Sequence, residues 1–243
     1  MTTIDLPVPT RVLAIGAHPD DIEFGCGATL ARWSAQGAEV HHLVLTDGSK
    51  GTWDAEVDLT ELVAIRHREQ RAAAAVLGCT GGQHFLDRVD GELTNDTETR
   101  REVVRVIRQV QPTIILGHDP WKRYRLHPDH RAAGFLTVDG VVAARDTHFF
   151  AELGLAPHRP DLLLLFEADE PNHVEAADVD TVAAKIAALL EHRTQWRSTM
   201  DIDGPDDGVG LTTFEQRVRD RLGEHGALAS KALGEAFRLL DDL

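Results

Sequence analysis

The segment Ala17-His18-Pro19-Asp20-Asp21-Ile22-Glu23 crowds four metal-competent side chains, His18, Asp20, Asp21 and Glu23, into six positions. Pro19 removes one backbone N–H and stiffens the turn between them. A second cluster, His127-Pro128-Asp129-His130, again sets imidazoles beside a proline. Both clusters follow apolar runs, Val12-Leu13-Ala14-Ile15 and Thr113-Ile114-Ile115-Leu116. A catalytic zinc takes three protein ligands, commonly histidine and carboxylate, and keeps one position for water. His18, one aspartate of the adjacent pair and His130 meet that count. The metal lowers the pKa of its water toward about 7, and the remaining aspartate takes the proton as the water attacks a carbonyl. His127 is placed to donate to the developing oxyanion, and Asp129 to hold an imidazole by its second nitrogen.

Taken singly, either aspartate reads as a helix N-terminal carboxylate favoured by the macrodipole. The crowded set and its second cluster do not reduce to that. His41, His42, His67, His84 and His225 are isolated and read as surface or core residues, and Glu23 as a local cap or pairing partner. Gly25 and Gly27 give GxG without the rest of a dinucleotide fingerprint, and the carboxylates before them repel a pyrophosphate.

Elements must carry these clusters to one place. Arg11 to Ala17 reads as a buried strand, followed by a helix from Gly27 to Gly37; further strands are expected at Glu39 to Leu45, Gln83 to Leu86, Thr113 to Leu116 and Asp161 to Phe166. Helices are expected at Leu59 to Leu77, Thr97 to Val110, Arg131 to Arg145, Val179 to Arg193 and Thr213 to Leu240. The turn-rich stretch from Asp201 to Gly208 reads as a lid or a linker. Strands alternating with helices predict an α/β fold, a Rossmann-like mostly parallel sheet with helices on both faces, in one three-layer domain over residues 1–243. Ligands of such sheets bind beyond the carboxyl ends of the strands, where both clusters and the loop from Thr46 to Gly51 fall.

The 243 residues suffice for a sizeable core. With 25 Lys and Arg against 40 Asp and Glu, the net charge of −15 repels phosphate backbones, so no nucleic-acid partner is expected. Cys26 and Cys79 make no CxxC pair and no disulfide framework. No signal-like start and no run of about 20 apolar residues is present, so a cytoplasmic protein without a membrane span is expected. A homo-oligomer is left open.

At these residues the chain resembles the LmbE-like (PIG-L type) N-acetylglucosamine deacetylase family, whose mark is an AHPDD segment after the first strand and a later HPDH-like segment. The likeness extends through Thr46-Asp47-Gly48, Arg66-His67-Arg68-Glu69, Asp90-Gly91-Glu92 and His192-Arg193-Thr194-Gln195, where Thr194 departs from the family's serine. It covers about residues 11–196 and leaves 197–243 as a helical C-terminal extension. The resemblance implies that His18, Asp21 and His130 bind zinc, that Asp20 is the general base and later the acid to the amine, and that His127 steadies the oxyanion. It further implies that Arg66 and Asp90 contact substrate, an acetamido sugar joined to inositol, malate or a larger aglycone. Against that stand an amidase acting on a larger N-acyl or thiol conjugate, a non-heme iron oxygenase, since the same ligands suit ferrous iron, and a sugar-binding module with an inert metal.

Overall fold

A computed structural model describes residues 3–243. In chain order its elements are β1 (Thr3–Ile4), β2 (Arg11–Gly16), α1 (Asp21–Ala35), β3 (Glu39–Thr46), α2 (Leu59–Val76), β4 (Gln83–Arg88), α3 (Thr97–Val110), β5 (Ile114–His118), α4 (Pro128–Arg145), β6 (Leu162–Phe166), β7 (His173–Ala176), α5 (Val179–Leu190), α6 (Gly208–Ala227) and β8 (Gly234–Leu240). The strands form one sheet in the order β1-β7-β8-β6-β5-β2-β3-β4, parallel except where β8 runs antiparallel to both β6 and β7. The expected α/β, Rossmann-like single domain is therefore the observed one.

The central strands are continuous apolar runs because helices cover both of their faces. Leu13, Ile15, Leu43 and Ile115 pack with Val103, Ile107 and Leu136 of α3 and α4. The alternate residues Val12, Ala14, Val44 and Leu116 pack with Ile22, Leu30 and Trp33 of α1 on the opposite side. Among the described residues, no helix is long and apolar enough to cross a membrane.

Strand β2 is flanked by β3 on one side and β5 on the other. From β2, the chain builds outward through β3 and β4, then returns to add β5 and β6 on the opposite side. This reversal opens a crevice beyond the carboxyl ends of β2 and β5, the place where ligands of such sheets bind. The turn carrying His18 leaves β2 there, and the loop leading to His130 leaves β5 beside it.

The C-terminal region departs from the expected helix over Thr213 to Leu240. Helix α6 ends at Ala227, and residues from Gly234 form β8, inserted between β6 and β7. The 197–243 segment is thus not helical to its end: it carries α6 and then returns to the sheet as β8. Two further expectations shift: α1 begins at Asp21, and α4 begins at Pro128, whose fixed φ and missing N–H suit a first helical position. The Asp201 to Gly208 stretch is anchored by Ile202, which is fully buried against α5 and α6.

Buried Glu235 of β8 explains why the strand belongs there. Helix α1 breaks at Cys26 (φ −150°, ψ 19°), which exposes the backbone N–H groups that start its second segment. Ala28 and Thr29 donate theirs to Glu235 at 3.1 and 2.7 Å, and Lys185 Nζ donates to the same carboxylate at 2.6 Å. Glu235→Ala strands a buried ammonium and uncaps the helix, so an expected loss of about 3–5 kcal/mol follows. Urea unfolding measures it, and a loss below about 1 kcal/mol would remove this role for Glu235.

Candidate active site

Asp21 is the meeting point of the two histidine clusters. As the first residue of α1 it accepts the His18 backbone N–H at 2.7 Å, which closes the turn on itself. Its Oδ2 lies 3.3 Å from His18 Nδ1 and its Oδ1 lies 3.2 Å from His130 Nε2. The His18 and His130 rings are 5.2 Å apart, and His127 stands edge-on to His18 at 4.6 Å. Residues from positions more than a hundred apart in the chain therefore share one centre.

The far nitrogen of His18 is held as well. Asp129 Oδ2 lies 3.0 Å and Asp90 Oδ1 3.2 Å from His18 Nε2. Fully buried Asp129 also accepts the N–H groups of Gly91 and Leu93, at 2.6 and 3.1 Å, which ties the Asp90 turn to the HPDH segment. Asp90 in turn accepts the Lys50 N–H at 3.0 Å. His127 caps α4, its Nδ1 accepting the Asp129 N–H at 3.3 Å, and its side chain stays open to solvent.

Arg66 is a helix residue, but it does not sit on a solvated face. It is 2 % exposed and donates to the carbonyls of Gly48 and Pro19 at 2.7 and 2.6 Å, with Asp20 Oδ2 at 3.6 Å. The guanidinium passes so close to Gly51 that a Cβ there would lie 2.3 Å from Nη1, so any side chain at this position would have to displace the hydrogen-bonded Arg66 head.

Asp20 adopts φ +110°, a left-handed backbone unusual for a residue with a side chain. Such strain persists only where the surroundings impose it. Buried Gln70 does so, its Oε1 accepting the Asp20 N–H at 3.0 Å while its Nε2 donates to Glu23 Oε1 at 2.7 Å. Gln70→Leu removes that grip, and kcat is expected to fall about tenfold with metal content unchanged, a change worth one hydrogen bond. Steady-state kinetics beside metal analysis checks it, and an unaltered kcat would assign the turn's geometry to the remaining contacts.

Protonation follows from these neighbours. Burial raises the Asp20 carboxyl to about 6, against the nearby Arg66 guanidinium and with help from the Asp21 charge. Asp21 is equally buried, yet His130 and His118 hold it well below the usual carboxylate range. Burial alone would lower His18, but hydrogen bonds to Asp129, Asp21 and Asp90 hold it well above an ordinary histidine. The pocket therefore stabilises positive charge. Imidazole and carboxylate atoms converge to within 4.8 Å of one another in three overlapping sets: His18 with His127 and His130, Asp21 with His118 and His130, and His18 with Asp90 and Asp129. That donor set and that charge preference fit a divalent metal.

His118 is the residue that the motif reading did not reach. It ends β5, is 1 % exposed, stacks on His130 at 4.4 Å and places Nε2 3.2 Å from Asp21 Oδ2. Its other nitrogen faces Glu167 at 3.4 Å, and Glu167 is paired with Arg125 at 2.6 Å. Glu167 leaves β6 with φ +57°, a second strained position beside the centre. The rule that loads strand ends with function applies to both residues, since each directly follows a buried apolar run. His18, Asp20, Asp21, Arg66, Asp90, His127 and His130 all line one cleft of about 570 Å³.

Known proteins resemble this chain over most of its length. A diacetylchitobiose deacetylase from Thermococcus kodakarensis is 40 % identical over 234 residues, covering 95 % of this chain and 83 % of the relative. That coverage leaves too few residues aside to exclude the 197–243 segment. A 1D-myo-inositol 2-acetamido-2-deoxy-alpha-D-glucopyranoside deacetylase from Geodermatophilus obscurus is 32 % identical over 170 residues, 59 % of this chain and 57 % of the relative. The solved N,N'-diacetylchitobiose deacetylase from Pyrococcus horikoshii superposes with a TM-score of 0.85 at 31 % identity, covering 96 % of this chain and 84 % of that one. The model of the PIG-L family, described as GlcNAc-PI de-N-acetylase, matches residues 13–141, and the chain belongs to that family.

Proposed function

We propose that this protein is a zinc-dependent hydrolase that removes the acetyl group from the nitrogen of an N-acetylglucosamine-type sugar or glycoside, giving acetate and a free amine. The observation that carries the reading is the convergence of His18, Asp21 and His130 with Asp20 and His127 on a single cleft. Asp21 meets both imidazoles, His18 Nδ1 at 3.3 Å from Oδ2 and His130 Nε2 at 3.2 Å from Oδ1, so these three side chains would hold the metal. Asp129 and Asp90 fix the His18 ring from behind, and His118 does the same for Asp21, the kind of support that ligands to a metal receive.

When bound, the metal supplies Lewis acidity, which brings the pKa of water toward about 7 and polarises the amide carbonyl. Asp20 accepts the proton of the attacking water and returns it to the departing amine nitrogen. Arg66 and the Gln70 hydrogen bond keep its carboxylate aimed into the cleft. His127, exposed and edge-on to His18, donates to the oxygen that gains charge in the tetrahedral intermediate. Arg66 and Asp90 line the cleft beside the reacting centre and meet sugar hydroxyls or the aglycone.

The test is elemental analysis of purified protein followed by acetate and free-amine assays on a panel of N-acetyl and longer N-acyl glucosaminides. Zinc together with acetate release is expected. Iron with oxygen consumption, or sugar binding without release of any acid, would overturn the reading; preference for longer acyl groups would move it to an amidase.

A further inference from the structure

A second cavity of about 460 Å³ abuts the catalytic cleft, and Phe24, Glu167 and Thr199 line both. Arg66, Lys50 and Asp90 line the catalytic cleft alone, whereas Lys122, Arg221 and Glu235 line only the second cavity. Its apolar surfaces come from Phe24 and from Phe214, Val218 and Leu222 of α6. The Phe24 and Phe214 rings meet edge to face at 6.3 Å.

The charges around this cavity do not cancel. Glu235 is neutralised by Lys185 at 2.6 Å, Glu167 by Arg125 at 2.6 Å, and Arg217 by Asp201 at 2.7 Å. Lys122, from the loop after β5, and Arg221, on the exposed face of α6, have no carboxylate within ion-pair distance among the described residues. His225, which lines the same cavity, reflects the same excess: burial first, and then Arg221, Lys185 and Lys122, push it down to about 4. A cationic rim over an apolar floor stands out in a chain whose net charge is −15.

We infer that this second cavity is the aglycone site, and that it selects a substrate whose aglycone has an apolar body ending in an anionic oxygen group, with Lys122 and Arg221 as the charges that recognise it. The inference rests on the deacetylase reading for its substrate but on the α6 cavity for its selectivity. Specificity of this kind acts through binding, so it appears in KM rather than in kcat.

The experiment compares phenyl N-acetyl-β-D-glucosaminide with its 4-carboxyphenyl counterpart, using metal-loaded enzyme and the Lys122→Glu/Arg221→Glu variant. The wild type is expected to favour the carboxylated glycoside about tenfold in kcat/KM, the scale of one charge-assisted contact. The variant is expected to lose or reverse that preference, read as the ratio of kcat/KM for the two glycosides. Equal rates on both glycosides, or a preference that survives in the variant, would overturn the inference. Should neither glycoside be hydrolysed, the deacetylase reading fails separately, and calorimetric Kd values for the same pair still test the cavity against the same tenfold ratio. If the double variant does not fold, Arg221→Gln on the exposed helix face is expected to remove about threefold of the preference.

Discussion

Asp20→Asn is expected to keep its metal and to lower kcat by about a thousandfold, within the range of a lost general base. The substitution is nearly isosteric, and asparagine tolerates left-handed backbone better than most residues, so the turn at φ +110° survives. The Asp20 N–H still donates to Gln70 Oε1, and Arg66 still donates to the Gly48 and Pro19 carbonyls. Only the proton acceptor disappears. KM should hardly move, since the loss falls on the transition state. Full activity in this variant, with metal content equal to wild type, would reject the assignment of the base.

Asp21→Ala is expected to have the larger effect, losing metal and turnover together. One carboxylate receives the His18 N–H and lies within 3.3 Å of His18, His118 and His130. Without it, His18 keeps Asp129 and Asp90, His118 keeps Glu167 and Arg125, and His130 keeps Arg125, while the charge that offsets a divalent ion is reduced by one. Metal occupancy is expected to fall by more than a hundredfold in affinity, beyond the 10–100-fold seen for outer partners, and activity to fall below detection. Inductively coupled plasma analysis after dialysis reads the first and acetate release the second. A metal-replete Asp21→Ala protein would exclude Asp21 as a ligand.

The parts of this molecule that were legible in the sequence share one property: their local pattern and their tertiary environment agree. The stretches Val12–Ile15 of β2, Leu43–Leu45 of β3, Ile114–Leu116 of β5 and Leu162–Phe166 of β6 are apolar because both faces are covered, and apolar runs are what a reader sees. Helix α3 carries the helical period without interruption. Strand β8 does not. Its Glu235 and Arg238 break the apolar run, and the reason for Glu235 is a broken helix some two hundred residues earlier in the chain, which no window of sequence contains. Strand β7 fails for the same reason, since His173 and Glu175 are buried polar residues that satisfy each other at 2.6 Å.

The site divides along the same line. His18, Asp20, Asp21, His127 and His130 sit in two dense clusters, and density is visible. His118, Glu167 and Gln70 stand alone in sequence, and only the crossing of β2, β5 and β6 with α2 brings them to the centre. Asp20 and Asp21 could not be ranked by spacing. Their environments separate them: one faces Arg66 and is raised by burial, the other is wrapped in imidazoles.

The insertion of β8 between β6 and β7 has a consequence for synthesis on the ribosome. Strands β2, β3, β5 and β6, with the histidine turns at their ends, can pair as soon as they emerge, whereas β7 has no neighbour toward β6 until residues 234–240 follow. The nascent polypeptide can thus assemble the sheet edge that bears the histidine turns before the α6 side is closed, and the sheet becomes continuous only when its last strand, β8, joins β6 to β7.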